Sequence, residues 1–338
     1  MNLLFFGGTG TISSAVTSRL LKQGHHVTLV NRGNRPTPPG ADVFVCDISC
    51  GEAELETWLK GKHFDAVADF IAYKPEDIER DIRLFSGKTD QFIFISSASA
   101  YQKPPQNDII SESTPLVNPY WEYSRNKIAC EERLIREYRT SLFPITIVRP
   151  SHTYGDYSVP VGLHGKAGSW QVICRMMENK PVILHGDGTT LWTMTHNSDF
   201  AKGFVGLVGN VHAIGETVHI TSDERLTWLQ IYHILYRTLG KTPNLVPVSS
   251  DFIQKSSPGY GDALLGDKAC SVIFDNSKIK KLVPGFCAEV RADEGLPRAL
   301  SYMLTHPDIQ RPDPEFDRWC DKVVAVREHA LAQVLAQS

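Results

Sequence analysis

The stretch LLFFGGTGTISSAVTSRLLKQGHHVTLVNRG, residues 3–33, constrains the fold more than any other part of the chain. Residues 3–6 (LLFF) are a short apolar run suited to a strand buried on both faces. Ile12, Val16 and Leu20 then recur at a spacing of four, with Ala15 beside them, so the helix that carries them has one apolar face. Gly24 sits where a helix-ending glycine belongs, and residues 26–30 (HVTLV) read as a second strand. Strand, glycine turn, helix and strand within about thirty residues predict a parallel βαβ unit with a phosphate-binding turn.

The turn itself is Gly7-Gly8-Thr9-Gly10-Thr11-Ile12-Ser13. Gly7 supplies the tight bend and Gly10 lets a pyrophosphate approach the backbone. The helix behind them offers free N–H groups and a positive dipole end. Gly7, Thr9, Gly10, Thr11 and Ile12 are therefore the expected pyrophosphate cradle of a dinucleotide cofactor. Ser13 stands where a third glycine is usual; it adds only a hydroxymethyl, which a small helix shift absorbs. A carboxylate at the end of the second strand would accept the ribose hydroxyls of NAD. Here that place holds Asn31 and Arg32, followed by Arg35. A guanidinium grips a phosphate with paired hydrogen bonds, so NADP is the expected cofactor and NAD the alternative.

The alternation continues. Strands are expected at residues 42–46, 65–72, 91–96 and 144–149, the last ending at Pro150, and helices at 52–60, 75–85 and about 120–139. Repeated βα units with short apolar strands mean an α/β fold, a Rossmann-type doubly wound parallel sheet. Past residue 155 glycine and proline become frequent and strict alternation stops. The expected organisation is a nucleotide-binding domain over 1–155, with a segment near 182–205 returning to it. A smaller, partly discontinuous substrate lobe is expected over 156–314, and a last helix over 315–338. Phe316, Trp319, Val323 and Val326 form one stripe of that helix, which packs on the protein body or contributes to a homodimer.

Composition removes several classes of function. A net charge of −3 gives no pull toward nucleic acid or an anionic membrane, so neither is an expected partner. No apolar run has the length of a membrane span, and the N-terminus does not read as a signal peptide. Seven cysteines without a CxxC pair suggest reduced thiols and a cytoplasmic location. The twelve histidines form no HExxH pattern and no metal site is expected.

The chemistry is carried by Tyr123 and Lys127 on the long fourth helix, one turn apart on the same face. A tyrosine titrates near pH 10, and an adjacent ammonium favours its phenolate. Tyr123 can then take a proton from a substrate hydroxyl or return it. The hydroxyls of Ile95-Ser96-Ser97-Ala98-Ser99-Ala100-Tyr101 follow the fifth strand. Ser97, or a neighbouring serine, can bond the same substrate oxygen.

Glycine turn, serine-rich strand end and YxxxK, in that order, resemble the extended short-chain dehydrogenase/reductases, the NAD-dependent epimerase/dehydratase group. The resemblance implies catalytic roles for Ser97, Tyr123 and Lys127, with Lys127 also holding the nicotinamide ribose. Asp47 and Ile48 look like the pair beside adenine, and Phe70 and Ile71, with Ala72, like the strand-four segment along the cofactor. Residues 149–155 resemble the family's RPxxxYG segment, which places Pro150 and His152 near the nicotinamide. Gly186-Asp187-Gly188 and residues 195–201 resemble its later GDG and HVxDVA stretches.

Two departures narrow the chemistry. Trp192 stands where nucleotide-sugar enzymes of the group carry an arginine on the substrate diphosphate. Ala98-Ser99 replaces the Asp-Glu pair of its dehydratases, leaving epimerisation or simple oxidoreduction. The chain is more distantly similar to chloroplast stem-loop-binding proteins, which implies a non-catalytic, nucleic-acid-binding or cofactor-sensing alternative. The expected substrate is a small molecule, a sugar-like or other polar metabolite with a secondary alcohol or ketone. Its candidate contacts are Tyr101, Trp121, His152 and Trp192, with His164 and Trp170 as further aromatic candidates.

Overall fold

A computed structural model describes residues 1–337. Seven strands form one parallel sheet: β1 (Asn2–Phe6), β2 (His26–Asn31), β3 (Asp42–Val45), β4 (Ala66–Asp69), β5 (Phe92–Ile95), β6 (Ile145–Pro150) and β7 (Thr217–Ile220). Their spatial order is β7-β6-β5-β4-β1-β2-β3. The order reverses at β1, so the crevice above its carboxyl end is the place where ligands enter such sheets. The helices include α1 (Thr11–Lys22), α2 (Glu52–Trp58), α3 (Pro75–Phe85), α4 (Glu122–Ser141), α5 (Trp170–Met177), α6 (Asn197–Leu207) and α7 (Trp228–Thr238); four more lie between α7 and a last helix at Pro314–Ala336.

The side-chain period of two explains the two cores. Leu3 and Phe5 of β1 pack with α1 and α6 on one face, through Val16, Leu20 and Phe204. Leu4 and Phe6 point the other way, onto Ile78, Ile82 and Phe85 of α3 and Leu134 of α4. A third cluster fills the second lobe, around Trp228, Tyr232, Leu296 and Phe316. Residues 182–205 divide between these layers. Val182–His185 pairs with Leu245–Val248 in the second lobe, whereas α6 lies against α1.

β7 lies outside the strands expected from the sequence. Its TVHI segment carries a histidine on the edge strand of the sheet. His219 is buried because both ring nitrogens find partners, Tyr101 Oη at 3.0 Å and the Asp275 carbonyl at 2.8 Å. In the last helix Phe316, Cys320, Val323 and Val324 are buried, and Val326 is exposed. Among the described residues no helix is long and apolar enough to cross a membrane.

The first turn depends on Gly8 as well as Gly7, both at positive φ (94° and 100°). A Cβ on Gly8 would lie 2.4 Å from Leu29 Cδ2, inside the sheet core. Gly8→Ala is therefore expected to cost about 2–4 kcal/mol, from strained backbone plus overpacking. The urea midpoint would fall accordingly, and an unchanged midpoint would contradict this account of the turn.

Candidate active site

β5 ends at Ile95, and the chain turns at Ser97 into a short 3₁₀ segment, Ala98–Ala100. Ser97 caps that segment by accepting a hydrogen bond from the Ser99 N–H at 3.2 Å. Its hydroxyl also lies 2.9 Å from Ser99 Oγ, which in turn accepts from Ser124 Oγ at 2.8 Å. Tyr123, on the first turn of α4, lies near enough to Ser97 for the serine side chain to act on its phenol. Ser97 and Tyr123 share a cavity of about 180 Å³ with Trp121, Pro150, His152 and Trp192. Sequence-separated residues 97, 123, 150, 152 and 192 thus meet above the carboxyl ends of β5 and β6.

Lys127 does not behave as its spacing implies. Its ammonium donates to the carbonyls of Ala72 and Ile95, each at 2.7 Å. It faces the rings of Tyr73 at 4.7 Å, Phe94 at 4.8 Å and Tyr123 at 5.8 Å. Burial pushes its pKa down to about 8. The expected acidification of the neighbouring phenol is corrected by this geometry: burial and the Tyr73 phenol raise the pKa of Tyr123, against a lowering by the Ser97 side chain. The desolvated phenol keeps its proton at neutral pH, while the ammonium is spent on backbone carbonyls.

The aromatic candidates separate into wall and core. Trp121 packs on Tyr123 with ring centroids 4.7 Å apart. Trp192 is buried, stacks on Trp228 at 5.1 Å, and donates from Nε1 to His152 Nδ1 at 3.3 Å. That bond leaves the second ring nitrogen of a neutral His152 as the N–H donor. Burial drives the His152 pKa down to about 3, so the ring is uncharged at physiological pH. Tyr101, expected among the substrate contacts, is instead a fully buried core residue. Its hydroxyl is committed to His219, and the Arg149 guanidinium lies 4.7 Å from its ring. Trp170 packs against the second-lobe core, and His164 lines a separate cavity.

A larger cavity, about 530 Å³, opens over the glycine turn. Gly7, Thr9, Gly10, Asn31, Arg32, Asp47, Ile48, Phe70 and Ile71 all line it, with Asn34, Arg35 and Tyr73. Thr11 and Ile12 begin α1 behind this wall. Asn31 supplies a test of whether a ligand fits. Its Oδ1 accepts from the Gly33 N–H at 2.8 Å, but its buried Nδ2 has no partner. An orphaned donor at the end of β2, beside two arginines, suits the adenosine end of a dinucleotide. Ser13 does more than the expected tolerance: its Oγ accepts from the Gly10 N–H at 2.9 Å, capping α1.

Two buried ionic networks hold this arrangement; no motif marks the first, and of the second only Arg149 falls in one, the RPxxxYG-like segment. Asp69, the last residue of β4, accepts from the N–H groups of Ile71 at 2.6 Å and Ala72 at 2.7 Å. Arg80 of α3 bridges Asp69 (3.2 Å) and Asp81 (2.7 Å). Burial, then repulsion from Asp69, raises the pKa of Asp81. The loop so fixed presents the Ala72 carbonyl to Lys127. In the second network Glu131 of α4 takes Arg149 of β6 and the hydroxyl of Ser96. The sequence signal for both was a charged residue on an otherwise apolar element.

The chain matches the model of the NAD dependent epimerase/dehydratase family over residues 3–220. It is 24% identical over 287 residues to 2'-dehydrokanamycin reductase of Streptomyces kanamyceticus, covering 85% of this chain and 80% of that protein. The epimerase Mth375 of Methanothermobacter thermautotrophicus superposes with a TM-score of 0.75 at 18% identity, over 91% of this chain and 94% of its own. UDP-glucuronic acid 4-epimerase from Bacillus cereus, solved in complex with NAD, gives a TM-score of 0.68 at 22% identity, over 92% and 100%.

Proposed function

This chain belongs to the NAD dependent epimerase/dehydratase family, and from that premise we propose that it interconverts a secondary alcohol and a ketone on a sugar-like small molecule. The observation that carries this reading is the hydroxyl pair of Ser97 and Tyr123, neighbours that open to one cavity. A bound nicotinamide supplies the acceptor or donor of hydride. Tyr123 holds a proton at Oη and gives it to the carbonyl oxygen, or takes it back in the reverse direction. Ser97 Oγ orients that oxygen. Lys127 is a positioning residue: through the Ala72 and Ile95 carbonyls it ties α4 to the ends of β4 and β5. Its ammonium has a third N–H, which fits a ribose hydroxyl.

Reduction of a ketone that is not borne on a nucleotide agrees with three features. Trp192 offers a flat apolar wall where a cation would be needed for a diphosphate. No Asp-Glu pair follows Ser97. The similarity to 2'-dehydrokanamycin reductase supports the same direction of chemistry. The test is a screen of sugars, glycosides and their ketones with either nicotinamide, following absorbance of the reduced cofactor. Turnover of a carbonyl sugar supports the reading; tight NAD(P)H binding without turnover of any carbonyl or carbinol compound refutes it.

The proposed cofactor preference is NADP, with Arg32 and Arg35 on the cavity wall taking the phosphate. Arg32→Ala is expected to raise the KM for NADPH by about tenfold and leave that for NADH nearly unchanged, since one charge-assisted contact is lost. Equal changes for both cofactors would remove Arg32 from the phosphate site.

A further inference from the structure

The Ser97–Tyr123 cavity, at about 180 Å³, has room for the reacting end of a substrate and little more. A second cavity of about 400 Å³ adjoins it in the chain: Asp267 lines the first and Lys268, the next residue, lines the second. Residues 162–166, Tyr260 and Trp319 complete much of the second wall. Lys268 ends the short turn Leu264–Lys268, and its backbone is pinned there. Its carbonyl accepts from His185 Nε2 and from Trp228 Nε1, each at 3.2 Å.

The Lys268 ammonium has no direct ion pair; the one carboxylate whose charge it feels is that of the adjacent Asp267. Among the described residues no carboxylate and no hydrogen-bond acceptor holds its ammonium. Its neighbour Asp267 is already taken by Lys103 at 3.6 Å. Desolvation lowers the pKa of Lys268, and its charge is felt by His152, His164 and His185, which lowers theirs. The imidazoles around it thus carry no negative charge that could offset the ammonium. Lys166 adds a second, exposed ammonium to the same lining, and the carboxylate there, Glu315, is exposed. A recessed cation with no direct partner, whose nearest carboxylate is shared with Lys103, is stabilised by a ligand that brings an anion.

We propose that Lys268 is the specificity residue for an acidic substituent of the substrate, a carboxylate or phosphate monoester, seated in the cavity beside the Ser97–Tyr123 pair. The inference rests on the reading of that pair as the reacting end of a sugar site. Tyr260 and Trp319 supply flat faces for the body of such a ligand. His152 is a neutral ring on the lining of the first cavity and within the field of Lys268.

The experiment is calorimetric titration of the purified full-length chain with glucose, glucuronate and glucose 6-phosphate. The acidic sugar of the matching chemistry should bind at least about tenfold tighter than glucose, as a charge-assisted contact does over a neutral one. Lys268→Met should abolish that preference and Lys268→Arg should keep it. The glucuronate and phosphate arms decide between the two acidic groups. Equal affinity for all three sugars, no binding of either acid, or an unchanged preference in Lys268→Met overturns the proposal. Cofactor affinity of each variant reports whether the fold is intact. Tyr123→Phe should retain the preference, so acid binding that depends on Lys268 in a protein without turnover would leave this inference standing while the reaction assignment failed.

Discussion

Replacing Tyr123 with phenylalanine is expected to lower turnover by about 10²–10⁴-fold, the range of a lost general acid–base group. Binding of the nicotinamide cofactor should hardly change, because the cavity over the glycine turn does not include Tyr123. The phenol ring packs on Trp121, and phenylalanine preserves that contact. The hydroxyl alone is removed, and with it the polar group that shares the cavity with Ser97. Burial raises the phenol pKa, so Tyr123 is protonated at neutral pH and ready to donate. Ketone reduction should therefore run well at neutral pH, and alcohol oxidation, which needs the phenolate, should rise with pH. Lys127 titrates in between: with its pKa lowered to about 8, it loses its charge as pH rises through that value. Initial rates of the wild type and Tyr123→Phe in both directions, with cofactor affinity measured separately, are the check. Wild-type turnover in Tyr123→Phe would end Tyr123's assignment as the proton carrier.

The largest expected effect on stability is that of Arg149→Met. Arg149 and Glu131 are both buried, and they join β6 to α4, the helix that bears Tyr123 and Lys127. Arg149 Nε lies 2.9 Å from Glu131 Oε1, and its Nη2 bonds the other oxygen. Removing the cation leaves the carboxylate with the Ser96 hydroxyl as its hydrogen-bond partner and only the more distant Lys127 as an opposite charge. Such a loss costs about 3–5 kcal/mol, most of it the penalty of an uncompensated buried charge. Adding Glu131→Gln to Arg149→Met should recover part of that loss by removing the stranded charge. Urea unfolding of the single and double variants measures both. A double variant less stable than Arg149→Met would show that the charge is not the source of the cost.

The βαβ opening was legible because its determinants are local. Strand run, glycine turn and helical spacing all fall within one short window, and the sheet order follows from handed crossovers between such units. Many residues expected at a cofactor line the one cavity over the glycine turn because they sit at strand ends, where every parallel strand in the sheet points the same way. Local patterns failed where a polar group is paid for at long range. His219 hid a strand because its partners, Tyr101 and Asp275, are far off in sequence. Tyr101 looked like a pocket aromatic for the same reason.

The spacing of Tyr123 and Lys127 determined that they share a helix face, since one turn of helix returns a side chain to nearly the same direction. It did not determine what the ammonium touches. The carbonyls of Ala72 and Ile95, brought in by β4 and β5, claim it, and burial then governs both pKa values. Which groups meet along the chain is a matter of backbone geometry. Which charges are satisfied, and which, like that of Lys268, are left waiting, is decided only when distant segments pack and exclude water.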